Sequence, residues 1–281
     1  MCVTFLNIDN DPNANYKLML VNNRDEQLDR VTSAADWERG ILAGRDEKND
    51  CRGTWLCMDE GGRIGNLLSI TVPFHQRKLN APSRGVIPLS FLQSGLGPNE
   101  FCQSLSTQCE KYDAFQVLCL QRDEADNYEM CGLANQLVEK VEPIIYNDGL
   151  HGFGNCPPNK PFLKVKRGIE LMEQVVEEEK SDCLSKMELI NRLLNVVTDR
   201  KMCYPDEQLH KQLARSGEIC KYRSALHVQY PDGIRFGTRS HTIILVDRSN
   251  HVTFYEKRMV KVPKLISNAV WAENAFHFDL S

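Results

Sequence analysis

The sequence predicts an α+β fold in which strands from both ends of the chain form one antiparallel sheet system, layered by helices from the middle. Three observations carry this expectation. Apolar or alternating runs of strand length crowd the two ends, helical periodicity is concentrated between 162 and 197, and the last two strand-like runs are separated only by RSN.

The strand runs are VTFLNI (3–8), KLMLVN (17–22), TWLCMD (54–59), GNLLSIT (65–71), FQVLCLQ (115–121), YRSALHV (222–228), HTIILVD (241–247) and HVTFYEK (251–257). Most are rich in branched or aromatic residues and are bounded by Asn, Asp or Gly, as pleated and half-buried segments are. The short RSN turn makes the last two a hairpin. In the middle, Phe162, Val165, Ile169, Met172 and Val176 recur at three- and four-residue spacing, with charged residues on the other side. A second stripe, Leu184, Met187, Asn191, Leu194 and Val197, follows Ser181 or Asp182 as the expected cap. The segment 98–112 reads as a third helix, with Pro98 in its first turn. Neither a repeat nor a low-complexity linker interrupts the chain, so one domain over 1–281 is expected.

The 281 residues suffice for a large core, and 42% hydrophobic with 26% charged residues is the balance of a globular chain. A net charge of −4 without a Lys/Arg block argues against nucleic acid as a partner. The 11 cysteines are scattered without any CxxC pair, which speaks against zinc ribbons and for reduced thiols in the cytosol. The N-terminus lacks a basic, then apolar, secretory pattern, and its first 23 residues hold one lysine and no arginine. No apolar stretch approaches the ~20 residues that span a bilayer.

Four stretches offer chemistry. Cys2 stands directly behind Met1; removal of Met1 would leave a thiol beside its own α-amine, a base with pKa about 8. The alternative is a small apolar residue entering the first strand. VNNRDEQ places Asn23, Arg24, Asp25 and Glu26 where an apolar strand leaves the core, as either a ligand site or a solvated strand end. In NDGLHGFGNCPPNKPF (147–162), three glycines permit close approach of a ligand, His151 could bind a metal or haem iron, and Asn155 could donate its amide to an oxyanion. FGTRSHTIILVD sets Arg239, Ser240 and Thr242 before a strand, where Arg239 suits an anion or a structural pairing with Asp25 or Glu26.

Together MCVTF, NRDE, GTWL (53–56), SRG (83–85), LHGFGN with PF.K (150–164) and GTRSHT with VD and YEK (237–257) resemble the NRDE family, also called the transport and Golgi organisation family. The resemblance runs in order from residue 2 to about 258. It departs from the family where Gly154-Asn155 replaces Ser-Asn and where LLSIT blurs a Thr-Asn. The resemblance implies an αββα four-layer sandwich similar to N-terminal nucleophile hydrolases, with Cys2, Arg24, Asp25, Asn155 and Arg239 as the catalytic set if the protein is an enzyme. It also implies haem trafficking. A haem chaperone would mobilise haem, as cargo, from storage or mitochondrial sites to acceptor proteins or membranes, from the cytoplasm or in association with mitochondria. The alternative is a cysteine amidase acting on a small amide or acyl substrate, and a homodimer stays open. For the carrier, the expected ligand-binding residues are Asn23, Arg24, Asp25, Glu26, His151, Gly152, Asn155 and Arg239. His151 is the expected iron ligand, and Cys156 the alternative.

Overall fold

The structure, a computed structural model, describes residues 2–78, 80–182, 184–262 and 265–281. Met1, on which the expectation about the free amine turns, lies outside the described residues, as does Cys183. In chain order the strands are β1 (Val3–Ile8), β2 (Tyr16–Gln27), β3 (Asp36–Glu38), β4 (Ile41–Ala43), β5 (Leu56–Asp59), β6 (Ile64–Ser69), β7 (Phe115–Arg122), β8 (Tyr128–Ala134), β9 (Ile144–Tyr146), β10 (Gly149–Phe153), β11 (Phe236–Asp247), β12 (His251–Lys261) and β13 (Val270–Asp279). The helices are α1 (Val86–Ser94), α2 (Pro98–Ser106), α3 (Leu163–Asp182), α4 (Lys186–Val197), α5 (Glu207–Leu213) and α6 (Gly217–Arg223).

The chain divides into two compact units. The first comprises Met1–Asp29, Gly149–Gly154 and Pro161–Phe278; the second comprises Arg30–Asp148, Asn155–Lys160 and Asp279–Ser281. The first is built on a six-stranded sheet, ordered β10-β1-β2-β11-β12-β13. Chain ends therefore meet in its middle, as expected: β2 and β11 pair antiparallel from Phe236↔Gln27 to Asp247↔Tyr16. Helices α3 and α4 pack together on this sheet, against β10 and β1 and against β2 and β11 respectively. The contact is close because Gly168 of α3 leaves room for the Phe5 ring; an added Cβ there would lie 2.0 Å from it. The cap of α4 is Ser185 rather than Ser181 or Asp182. Ser185 forms a reciprocal box with Glu188, which satisfies two donors at the helix start.

The second unit holds a seven-stranded sheet, β3-β4-β5-β6-β7-β8-β9, carrying α1 and α2. GTWL and SRG meet here. Gly53 and Gly85 touch backbone to backbone, where a Cβ on Gly53 would lie 2.7 Å from Gly85, and Thr54 N donates to Gly85 O at 2.8 Å. The expected helix over 98–112 is α2 followed by a separate turn of 3-10 helix at Cys109–Lys111.

Two further expectations fail. YRSALHV is not a strand: its first residues end α6, and the rest is a buried connection held by tertiary hydrogen bonds, His227 N to Asp199 O and Val228 N to Thr238 Oγ1. The glycine loop over 147–162 is in part a strand, β10, paired with β1. Among the described residues every cysteine is a free thiol, and no helix is long and apolar enough to cross a membrane.

Candidate functional site

The NRDE stretch occupies the end of β2, and strand alternation divides it between two faces. Asn23 and Asp25 share the face that carries α3 and α4. There the Asn23 amide donates to Val197 O at 2.7 Å and Leu226 O at 3.1 Å, while its Oδ1 meets His241 Nδ1 at 2.5 Å. Asn23 thus ties a helix end, a loop and a strand together. Asp25 Oδ1 accepts from Thr238 Oγ1 at 2.6 Å, and its Oδ2 lies 3.9 Å from Lys164 Nζ, with both charged side chains fully buried. Lys164 also donates to Ala225 O at 3.2 Å. As a pair these charges can stay buried, because each supplies the other's counter-charge.

Arg24 lies on the other face, buried, with Glu26 at 3.9 Å. The register Val3↔Asn23, continued one step, sets Cys2 opposite Arg24. Cys2 is half-buried. Desolvation holds its thiol above the ordinary value and outweighs the Asp25 main-chain hydrogen bond and the Arg24 charge, which pull it down. A bulge between Thr238 and Ser240 makes Arg239 the extra residue of β11 beside Arg24 and Asp25. The bulge re-aims its buried guanidinium, which donates to Gln27 O at 3.4 Å. Burial, then the Arg24 charge, lowers the Arg239 pKa. The first unit therefore brings Cys2, Arg24, Asp25, Glu26 and Arg239 to one end of its central strands.

Asn155 belongs to the second unit and is fully buried. Its Nδ2 donates to Ser69 O and its main-chain oxygen accepts from Thr71 N at 2.9 Å, while Oδ1 has no hydrogen-bond partner among the described residues. Cys156, next to it, is buried, and its carbonyl accepts from Gln116 Nε2 at 3.0 Å. His151 is half-buried on β10, stacked on Phe153 at 6.4 Å and paired with Leu6. Leu6 is four residues along β1 from Cys2, about 13 Å at ~3.3 Å per residue. His151 thus stands well down the strand from the Cys2 end. The space beside Gly152 is taken by Ile169 and Phe5, which an added Cβ would meet at 2.6 and 3.0 Å.

Sequence reasoning did not single out Thr238 or assign Lys164 to Asp25. The signal for both was the period-2 alternation of NRDE, which puts Asp25 on the helix-covered face. The first unit also contains a cavity of about 600 Å³ that no motif announced. Its walls include Thr238, His227, His241, Phe236, Lys257 and Trp271.

The profile of the Transport and Golgi organisation 2 family matches residues 1–261, and the chain belongs to that family. It is 30% identical over 288 residues to the Transport and Golgi organization 2 homolog of Mus musculus, covering all of this chain and 99% of the relative. It is 31% identical to the human homolog with the same coverage, and 30% identical to the Drosophila melanogaster protein, covering 92% of each chain. Among solved structures, a cysteine-to-alanine mutant of conjugated bile acid hydrolase from Clostridium perfringens superposes over 98% of this chain and 92% of its own, with TM-score 0.54 at 10% identity. The fold is that of N-terminal nucleophile hydrolases.

Proposed function

We propose that this chain is a carrier that binds haem and passes it to acceptors, using a hydrolase fold without hydrolysis. The observation that carries the reading is a cavity of about 600 Å³ in the first unit, lined by His227, His241, Phe236, Trp271, Arg200 and Lys257 and not by Cys2, which offers room for a small molecule away from the thiol. Burial also pushes the Cys2 thiol up from its ordinary value, away from the thiolate a nucleophile needs. Asn155, the residue expected to stabilise an oxyanion, directs one amide N–H to Ser69 O in its own unit and leaves its Oδ1 unmatched among the described residues. Membership in a family named for transport supports carriage as the task. The test is an absorption titration of the purified chain with haem. A saturable one-to-one complex with a shifted Soret band is expected, and a featureless non-saturating curve overturns the reading.

The second reading is a cysteine amidase acting on a small amide or acyl substrate. It is favoured by the placement of Cys2 at the head of β1, opposite Arg24 and in contact with the Asp25 main chain. Intact mass separates the two: a chain lacking Met1 and stoichiometrically acylated at Cys2 by a β-lactone would establish the amidase.

A further inference from the structure

The cavity of the first unit lies on the helix-covered face of the sheet, and neither Cys2, Arg24, Asp25 nor Arg239 is among its lining residues. Its volume, about 600 Å³, falls in the range of small-molecule sites. Flat rings dominate one side. His227 stacks on His241 at 5.6 Å with 30° between the planes, and His241 stacks on Trp271 at 5.3 Å with 15°. Phe236 and Ile234 add apolar surface, and Ile234 is 46% exposed, which opens the site to solvent. Such a wall favours a flat ligand that stacks with an offset.

The two histidines differ in what they have left to offer. His241 Nδ1 is engaged by Asn23, as described above. His227 is only 8% exposed, its Nδ1 is enclosed without a partner, and the ring makes no hydrogen bond among the described residues. Leaving such a group unmatched is unfavourable, and it marks His227 as a side chain that the fold itself does not use as a hydrogen-bonding partner. Burial, assisted by the Arg200 charge, pushes His227 down to about 4, so the imidazole is neutral and its lone pair available at physiological pH.

Charge selects the ligand's substituents. Among the described residues, Arg200 and Lys257 line the cavity and no Asp or Glu does. Lys257 is held by Glu273 at 2.7 Å, whereas Arg200 is exposed and has no ion-pair partner among the described residues.

We propose that this cavity seats a flat aromatic ring system bearing anionic groups, with Arg200 and Lys257 meeting the anionic edge and His227 meeting the ring. The inference rests on the carrier reading for the identity of the cargo: with haem, His227 supplies the iron ligand. Iron and ring are separable, because metal-free protoporphyrin IX offers the same ring and carboxylates without a site for the imidazole.

The test titrates the full chain, and its His227→Ala and Ala269→Trp variants, with haem and with metal-free protoporphyrin IX. Ala269 lines the cavity half-exposed, so the tryptophan fills the mouth without touching the core. His227→Ala is expected to weaken haem at least about tenfold and to lose the wild-type Soret position, with metal-free ring affinity within about twofold. Ala269→Trp, which keeps His227, is expected to weaken both by about tenfold or more. Wild-type haem binding that survives both variants unchanged, or is lost with His151→Ala instead, overturns this seat and leaves the carrier reading standing. Failure of the wild type to bind haem, with metal-free ring binding that Ala269→Trp abolishes, overturns the cargo and supports the site as one for flat anionic rings.

Discussion

Along β11 the first unit sets two polar neighbourhoods side by side, and they are built on opposite terms. Around Arg239 and Asp25 every charged group has a partner: Lys164 and Thr238 hold Asp25, Glu26 faces Arg24, and Gln27 O takes Arg239. Two residues on, around His241 and His227, the rings stack beside open space, and one buried imidazole is left without a hydrogen bond among the described residues. The first neighbourhood is conspicuous in the sequence and spends its side chains on holding strands, helix and loop together. The second is inconspicuous and keeps a group in reserve, which is what a reversible binder requires. A buried polar group that is satisfied contributes to folding; one that is left over is available to a ligand.

The contrast can be broken most forcefully at Lys164. Lys164→Met leaves the Asp25 carboxylate buried without its cation and should cost about 3–5 kcal/mol of stability in urea unfolding. A loss below ~1 kcal/mol would mean that the motif end is not the structural anchor described here.

The cavity side answers to pH. His227 has a folded value of about 4 against an ordinary 6.5, so its neutral form is the one folding favours. The stability it permits is present above about 6.5 and is lost as pH falls toward 4, where the imidazole must charge inside the protein. By linkage this amounts to about 3 kcal/mol at pH 4, and His227→Phe should remove that part of the acid sensitivity. Unfolding curves of the two proteins that run parallel from pH 7 to 4 would contradict the buried, unpaired setting of His227.

Thr238 belongs to both neighbourhoods, since its hydroxyl donates to Asp25 and accepts from Val228 N while its body lines the cavity. Thr238→Val should cost about 2 kcal/mol, because it orphans buried partners without changing shape. Away from both, Ser185→Ala at the start of α4 should cost about 1 kcal/mol, the worth of a cap, and leave ligand binding untouched.

What could be read beforehand follows the same division. Strands β1, β2, β11 and β12 were legible because their apolar runs end in turn residues, and α3 and α4 because one stripe faces a sheet. Helix α1, VIPLSFLQS, was not legible. It is apolar over most of its length and carries Pro88, so it shows no helical stripe; it is held by the sheet beneath it and by Arg63, which donates to Phe91 O and Leu96 O. Residues 222–228 have strand composition, yet the local preference yields to tertiary hydrogen bonds and to burial of Ala225, Leu226 and Val228. The motif residues of the candidate site were legible as residue types, but their division between two faces was not drawn from the alternation. The cavity left no signature because its walls come from separate segments near 198, 227–238, 241, 257 and 266–271; GTRSHT and YEK supply Thr238, His241 and Lys257, but neither motif announces the space between them.

The most direct measurement compares haem dissociation constants of Cys2→Ala and His227→Ala with that of the wild type under identical conditions. The account predicts that Cys2→Ala stays within about twofold while His227→Ala weakens by about tenfold or more, a difference of at least ~1.4 kcal/mol. The reverse order, with haem lost from Cys2→Ala and retained by His227→Ala, would contradict it.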